Sequence, residues 1–254
     1  MVWGGGLLHQ WGVLDFAGGI VVHATAGFAA LASIIFVGHR RDKSSSPNSI
    51  PLIAVGTGLL WFGWYGFNAG SATDVSAQTG LAFLNTDVAA SFAGIVWLII
   101  EWLMTGKPKF VGLMTGAVAG LATITPAAGY VSLNAAVVIG ISSGVVCYLA
   151  VSLKNKMKWD DALDVWGVHG VGGALGTILL GVFATDLGLR FGKTDLFLHQ
   201  LEAVAMACAW GFCFTYGMIY LINMFTKVRV SEEVEDRGID EGIHGENAYD
   251  AGAV

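Results

Sequence analysis

At 254 residues, with 55% hydrophobic and 13% charged side chains and a mean hydropathy of +0.65, the chain lies outside the soluble globular class, where roughly a quarter of residues are charged. It reads as an integral membrane protein. The net charge of −6 says little about partners of the body, because Glu232, Glu233, Glu235, Asp236, Asp240, Glu241, Glu246 and Asp250 all lie beyond Val230.

A bilayer core about 30 Å thick needs roughly 20 apolar residues per helix. Seven candidate spans follow in chain order: Leu14 to Gly38, Ile50 to Ser71, Leu81 to Thr105, Val111 to Thr125, Leu133 to Leu153, Asp164 to Ala184, and Leu201 to Phe225. Frequent glycines suit close helix packing, and Gly116 and Gly120 in "TGAVAG" form one small-xxx-small face. Cys147, Cys208 and Cys213 sit in apolar runs and suggest neither a disulfide nor a zinc site. Thr226 onward is polar.

Basic residues collect in cytoplasmic loops. Arg40, Arg41, Lys43, Lys107, Lys109, Lys154, Lys156, Lys158, Lys227, Arg229 and Arg237 fall after odd-numbered spans, with only Arg190 and Lys193 opposite. The N-terminus is therefore expected outside and the C-terminus in the cytoplasm. No basic leader in "MVWGGGLLHQ" accounts for an exported N-terminus, so the chain is expected to be the C-terminal part of a longer protein.

The first span carries Asp15 and, eight residues on, His23; the sixth carries Asp161 and, eight residues on, His169. With the histidines superposed, Val22 matches Val168 and Gly27 matches Gly173. Weak internal symmetry between oppositely directed helices marks inverted-repeat transporters, and ionisable residues inside spans mark pathways or relays. Eight residues of helix rise about 12 Å, so both histidines are expected near the midplane, approached from opposite faces. In "WFGWYGFNAGS", Trp61 and Tyr65 read as an interfacial belt, whereas Trp64, Phe67 and Ser71 share one helix face. Aromatic rings and a hydroxyl there suit a small cation.

The strings "WGGGLL", "LDFAGGIVVH", "WYGFNAGS", "TPAAGY", "DVWGVHGVGG" and "HGENAY", in this order over essentially the whole chain, resemble the ammonium transporter family (Amt, Mep and Rh proteins), specifically its bacterial and archaeal Amt branch. The resemblance implies an all-α, polytopic helix bundle corresponding to the later spans of an eleven-span inverted-repeat fold, with about the first four spans lacking. It implies a partial transmembrane ammonium-channel domain over 1–226 and a cytoplasmic regulatory tail over 227–254.

The same resemblance implies an outer site formed by Trp3, Asp15 and Ser71. Phe67 would gate the pore, Trp64 would line its wall, and His23 and His169 would be twin histidines lining the conduit. Thr125, Asp161 and Asp164 would be exit or structural residues. Asp87, in "AFLNTDVAA", departs from the family pattern and receives no role. No cofactor, metal, enzymatic activity or nucleic-acid partner is implied. The expectation is ammonium uptake across the plasma membrane by a homotrimer in nitrogen assimilation, with a PII-type signalling protein at the cytoplasmic face.

Rival readings are a retinal protein, for which the last span lacks a lysine, a haem carrier ligated by His23 and His169, an ammonium sensor, and a truncated non-conducting fragment.

Overall fold

The computed structural model describes residues 1–42 and 46–247; Lys43, Ala248, Tyr249 and Asp250 lie outside the described residues. The regular secondary structure of the described residues is all helical, with no strand. A short helix α1 (Leu7–Gln10) leads into α2 (Thr25–Val37), then α3 (Ile50–Gly70), α4 (Ala77–Thr105), α5 (Phe110–Ile124), α6 (Leu133–Lys156), α7 (Gly172–Phe183), α8 (Asp195–Phe225) and the short α9 (Glu232–Arg237). Continuous π-helical turns, Gly19–Ala24 and Trp166–Val171, lead into α2 and α7.

Six of these segments are long and apolar enough to cross a membrane, among them Gly19–Val37 and Trp166–Phe183. The expected fourth span is α5, an apolar helix of 15 residues. It stops before Pro126, whose missing N–H and ring clash end an α-helix. The chain then folds into a compact buried turn over 125–131. Two other boundaries move outward: α4 starts at Ala77 and α8 at Asp195, because Gln78 and Thr79 in the one, and Asp195, His199 and Gln200 in the other, interrupt the apolar run.

The first span is corrected more deeply. Residues 14–18 are not helical, so Asp15 stands ahead of the helix that carries His23; Asp161 likewise precedes its helix. Their spacing to the histidines is not eight residues of helical rise.

Small residues bring the helices together. Gly116 and Gly120 of α5 face α4: an added Cβ would lie 2.5 Å from Trp97 Cβ and 2.5 Å from Ala89 O, respectively. Gly140 and Gly144 of α6 meet α4 in the same way, at Ala89 O and Ala93 O. Helices α4, α5 and α6 thus form one tightly packed group, and α2, α7 and α8 a second, joined through α5 and α7. The outer faces of α3 and α8 carry exposed apolar side chains, including Leu59, Phe62, Trp210 and Phe225. Such faces suit a hydrocarbon surrounding rather than water.

Candidate functional site

The first π-helical turn is built on Asp15. Its Oδ1 accepts the N–H groups of Gly18 (2.9 Å) and Gly19 (2.7 Å), and its Oδ2 those of Ile20 (2.9 Å) and Val21 (3.3 Å). The carboxylate thereby satisfies the amides a helix start leaves unpaired. Gly18 has φ +117°, a conformation that a side chain would strain. The turn is closed by the His23 N–H donating to Gly18 O at 3.0 Å.

The second turn repeats the design. Asp161 accepts from the N–H of Val165 (3.1 Å) and of Trp166 (2.9 Å). The loop beneath is pinned by Lys154, a buried lysine whose Nζ donates to Asp161 O (2.9 Å) and to the Asp164 carboxylate (2.6 Å). Asp164 itself adopts φ +55°.

The two turns cross at their histidines. Gly27, one turn after His23, packs so closely that an added Cβ would lie 2.1 Å from Gly170 Cα; on Gly173, one turn after His169, it would lie 2.7 Å from His23 Cβ. The glycine pairing seen in the sequence thus becomes a reciprocal contact, each glycine admitting the other helix beside its histidine. His23 Nδ1 and His169 Nδ1 consequently stand 3.1 Å apart, 146 residues apart in sequence.

Around this pair Trp64 stacks on His23 (centroids 5.3 Å, interplanar 18°), and Phe67 lies 6.1 Å from the same ring. Thr125, expected as an exit or structural residue, sits against the pair. Its Oγ1 accepts from Trp64 Nε1 at 3.0 Å, contacts His23 Nε2 at 3.3 Å and donates to Leu121 O at 2.8 Å. Two ring nitrogens 3.1 Å apart leave no place between them for a metal ion, which with bonds of about 2.0 Å on each side needs about 4 Å.

Trp3, Asp15 and Ser71 line one cavity of about 280 Å³, whose walls also include His9, Gln78 and Tyr130. Trp3 Nε1 donates to Asp15 O at 2.9 Å while half of the side chain stays exposed. Ser71 Oγ donates to Phe67 O at 2.8 Å, keeping its lone pairs free for a donor. His9, Gln78 and Tyr130 escaped the sequence reading because none lies in an apolar run at helical spacing. Asp87 finds a local partner, accepting the Tyr65 hydroxyl at 2.5 Å.

At the opposite end of α2, Arg40 holds Asp160 through its backbone N–H (2.6 Å) and its guanidinium (2.7 Å). That pairing keeps the Asp160 carboxyl below the usual carboxylate range. Arg41 pairs with Glu232 and Asp236 of α9, and Arg229 with Glu235, tying the start of the tail to the loop after α2.

The Ammonium Transporter Family model matches residues 1–249. The chain belongs to the ammonium transporter family. An ammonium transporter of Aquifex aeolicus is 46% identical over 98% of this chain and 60% of its own length. The crystal structure of Candida albicans Mep2 superposes with a TM-score of 0.87 at 39% identity, covering 91% of this chain and 56% of that one. A structure described as a sensor Amt protein gives 0.86 at 34% identity, covering 94% and 64%. The chain spans 60–65% of the length of the first curated relatives it matches. Family membership and the apolar helices make it a multi-pass membrane protein with an Amt/Mep-type helical fold.

Proposed function

We propose that this chain forms one wall of an ammonium-conducting pore in a plasma-membrane uptake transporter, with the twin histidines His23 and His169 at its centre. The observation that carries the reading is the Nδ1 to Nδ1 contact of 3.1 Å, set against the rings of Trp64 and Phe67. Transferring a bare cation into a low-dielectric conduit costs on the order of 20 kcal/mol in the idealised limit. Ammonium avoids this by shedding a proton at the mouth, where the Trp3 ring and the Ser71 hydroxyl select the cation and Asp15 shapes the site. Ammonia then passes the imidazoles, and the proton crosses separately through the histidines and transient water. Potassium has no proton to lose and is excluded by the same dry barrier.

In this reading residues 1–226 are the membrane domain and 227–254 a cytoplasmic regulatory tail, with the N-terminus of the chain outside. The unit is a homotrimer, and a PII-type signalling protein is the regulator at the cytoplasmic face. Arg41 and Arg229, which hold α9 against the loop after α2, support a tail that senses the state of the pore.

Ammonium-evoked current across proteoliposomes containing the protein tests the reading. Replacing both histidines with leucine is expected to abolish the current; an unchanged current overturns the relay. A second reading, an ammonium sensor of the same fold, is favoured by the likeness to the sensor Amt structure. Ammonium-induced change in hydrogen exchange of the tail, without net uptake, would select it.

A further inference from the structure

We infer that the Thr125 hydroxyl sets the protonation order of the histidine pair, so that His169 Nε2 is the lone pair presented to the conduit. Protons and lone pairs around Thr125 fix the order. A hydroxyl has one proton and can accept two hydrogen bonds. Thr125 Oγ1 lies 2.8 Å from Leu121 O, and two oxygens at that distance need a proton between them, which only the hydroxyl can supply. Trp64 Nε1–H, a donor only, takes one accepting position at 3.0 Å. The contact to His23 Nε2, 3.3 Å, can then be satisfied in one way, with the imidazole donating.

The rest follows around the ring. A neutral His23 that is protonated at Nε2 is bare at Nδ1 and must accept there. His169 faces that atom at 3.1 Å and therefore donates from its own Nδ1. His169 Nε2 is left bare, and among the described residues it has no hydrogen-bond partner. Ammonia meeting the pair is consequently received through an N–H that points at His169, while the outward N–H of His23 is already taken by Thr125.

The order is asymmetric although the two histidines occupy equivalent positions. Thr125 is thus a positioning residue, reaching His23 from a helix 102 residues away. The meaning for passage of ammonia rests on the pore reading above; the assignment itself does not, and its test needs no transport.

The test is nitrogen NMR of the full chain with 15N-labelled histidine in lipid nanodiscs. The coupling between two nitrogens across the shared Nδ1–H···Nδ1 bond identifies the pair among the six histidines. The expected spectrum shows one member protonated at Nδ1 with an unprotonated Nε2, and the other protonated at Nε2. Lines of the first are assigned to His169 by their loss in His169→Gln. Thr125→Val is expected to give a mixture of both orders, and Thr125→Ser to restore the single order. A His169 protonated at Nε2 in the unaltered protein overturns the assignment, and an unchanged single order in Thr125→Val overturns the role of Thr125. Where the Val variant fails to fold, the unaltered spectrum decides alone. A correct protonation order with no ammonium current in liposomes would refute the pore reading and leave this inference standing.

Discussion

His23 and His169 share a hydrogen bond because Gly27 and Gly173 each remove a side chain at the point where the partner helix crosses. Each histidine rides on a π-helical turn, and each turn is started by an aspartate eight positions earlier. The contact is therefore the product of two copies of one local design set against each other.

Adding a methyl group at the crossing should separate the rings. Gly27→Ala would place its Cβ 2.1 Å from Gly170 Cα, which is backbone and cannot yield. Overpacking of this kind costs about 1–3 kcal/mol, and the loss of thermal stability in detergent measures it. Gly173→Ala should act alike, since its Cβ would meet Gly19 O at 2.6 Å. Gly63→Ala, whose Cβ meets nothing within 4 Å, is the control; alanine there is expected to be neutral or stabilising by up to about 1 kcal/mol.

The aspartates should differ in cost by the number of amides they hold. Asp15 accepts four backbone N–H groups and Asp161 two. Each buried donor left without a partner costs about 1–3 kcal/mol, so Asp15→Ala is expected to destabilise more than Asp161→Ala. Asp15→Asn keeps one accepting oxygen and should be the milder change. Melting temperatures of the three variants check the order, and equal losses would mean that water replaces the carboxylate.

Much of this arrangement was legible in the sequence, and the limits have physical causes. Apolar length marked the seven segments, and the repeated Asp and His spacing with Gly27 and Gly173 pointed to two related helices. What spacing could not reveal is that Asp15 and Asp161 precede their helices. A hydropathy run does not distinguish helix from the non-helical residues that lead into it, and the +117° φ of Gly18 leaves no mark beyond the glycine itself. The contacts of Thr125 with Trp64 and His23 were not legible either, because these partners are distant in sequence. Lys154, which the sequence places among the cytoplasmic loop charges, is buried and pairs with the partly exposed Asp164 under the His169 turn.

Acid should leave the loop after α2 in place until well below neutrality. Asp160 is held below the usual carboxylate range by Arg40, and Glu235 by the Arg41 amide and Arg229. A group with a depressed folded pKa contributes stability above its unfolded value, near 3.9 for aspartate and 4.3 for glutamate, and loses it as pH falls through the folded value. Hydrogen exchange of residues 38–42 is therefore expected to stay slow from pH 8 to about 5 and to rise only below about 4. Arg40→Gln should release the same residues at neutral pH. Faster exchange already at pH 6 in the unaltered protein would show that another group holds the loop.

The ion pair under the second turn offers a thermodynamic cycle. Lys154 Nζ donates at 2.6 Å to Asp164, the lysine side chain being 8% exposed and the aspartate 28%. Lys154→Met keeps the apolar stem and strips the charge, leaving Asp164 and the Asp161 carbonyl without their donor. The loss should fall below the about 3–5 kcal/mol of a fully buried pair, because Asp164 keeps partial access to solvent. Asp164→Asn removes the opposite charge while tolerating the left-handed backbone at φ +55°. In the double variant neither member of the pair is left charged, so it should recover a large part of the stability lost in Lys154→Met. A double variant as unstable as the two single losses added together would mean that the charges do not interact. Lys154 would then act through its bond to the Asp161 carbonyl alone, and the His169 turn would depend on that one donor for its footing.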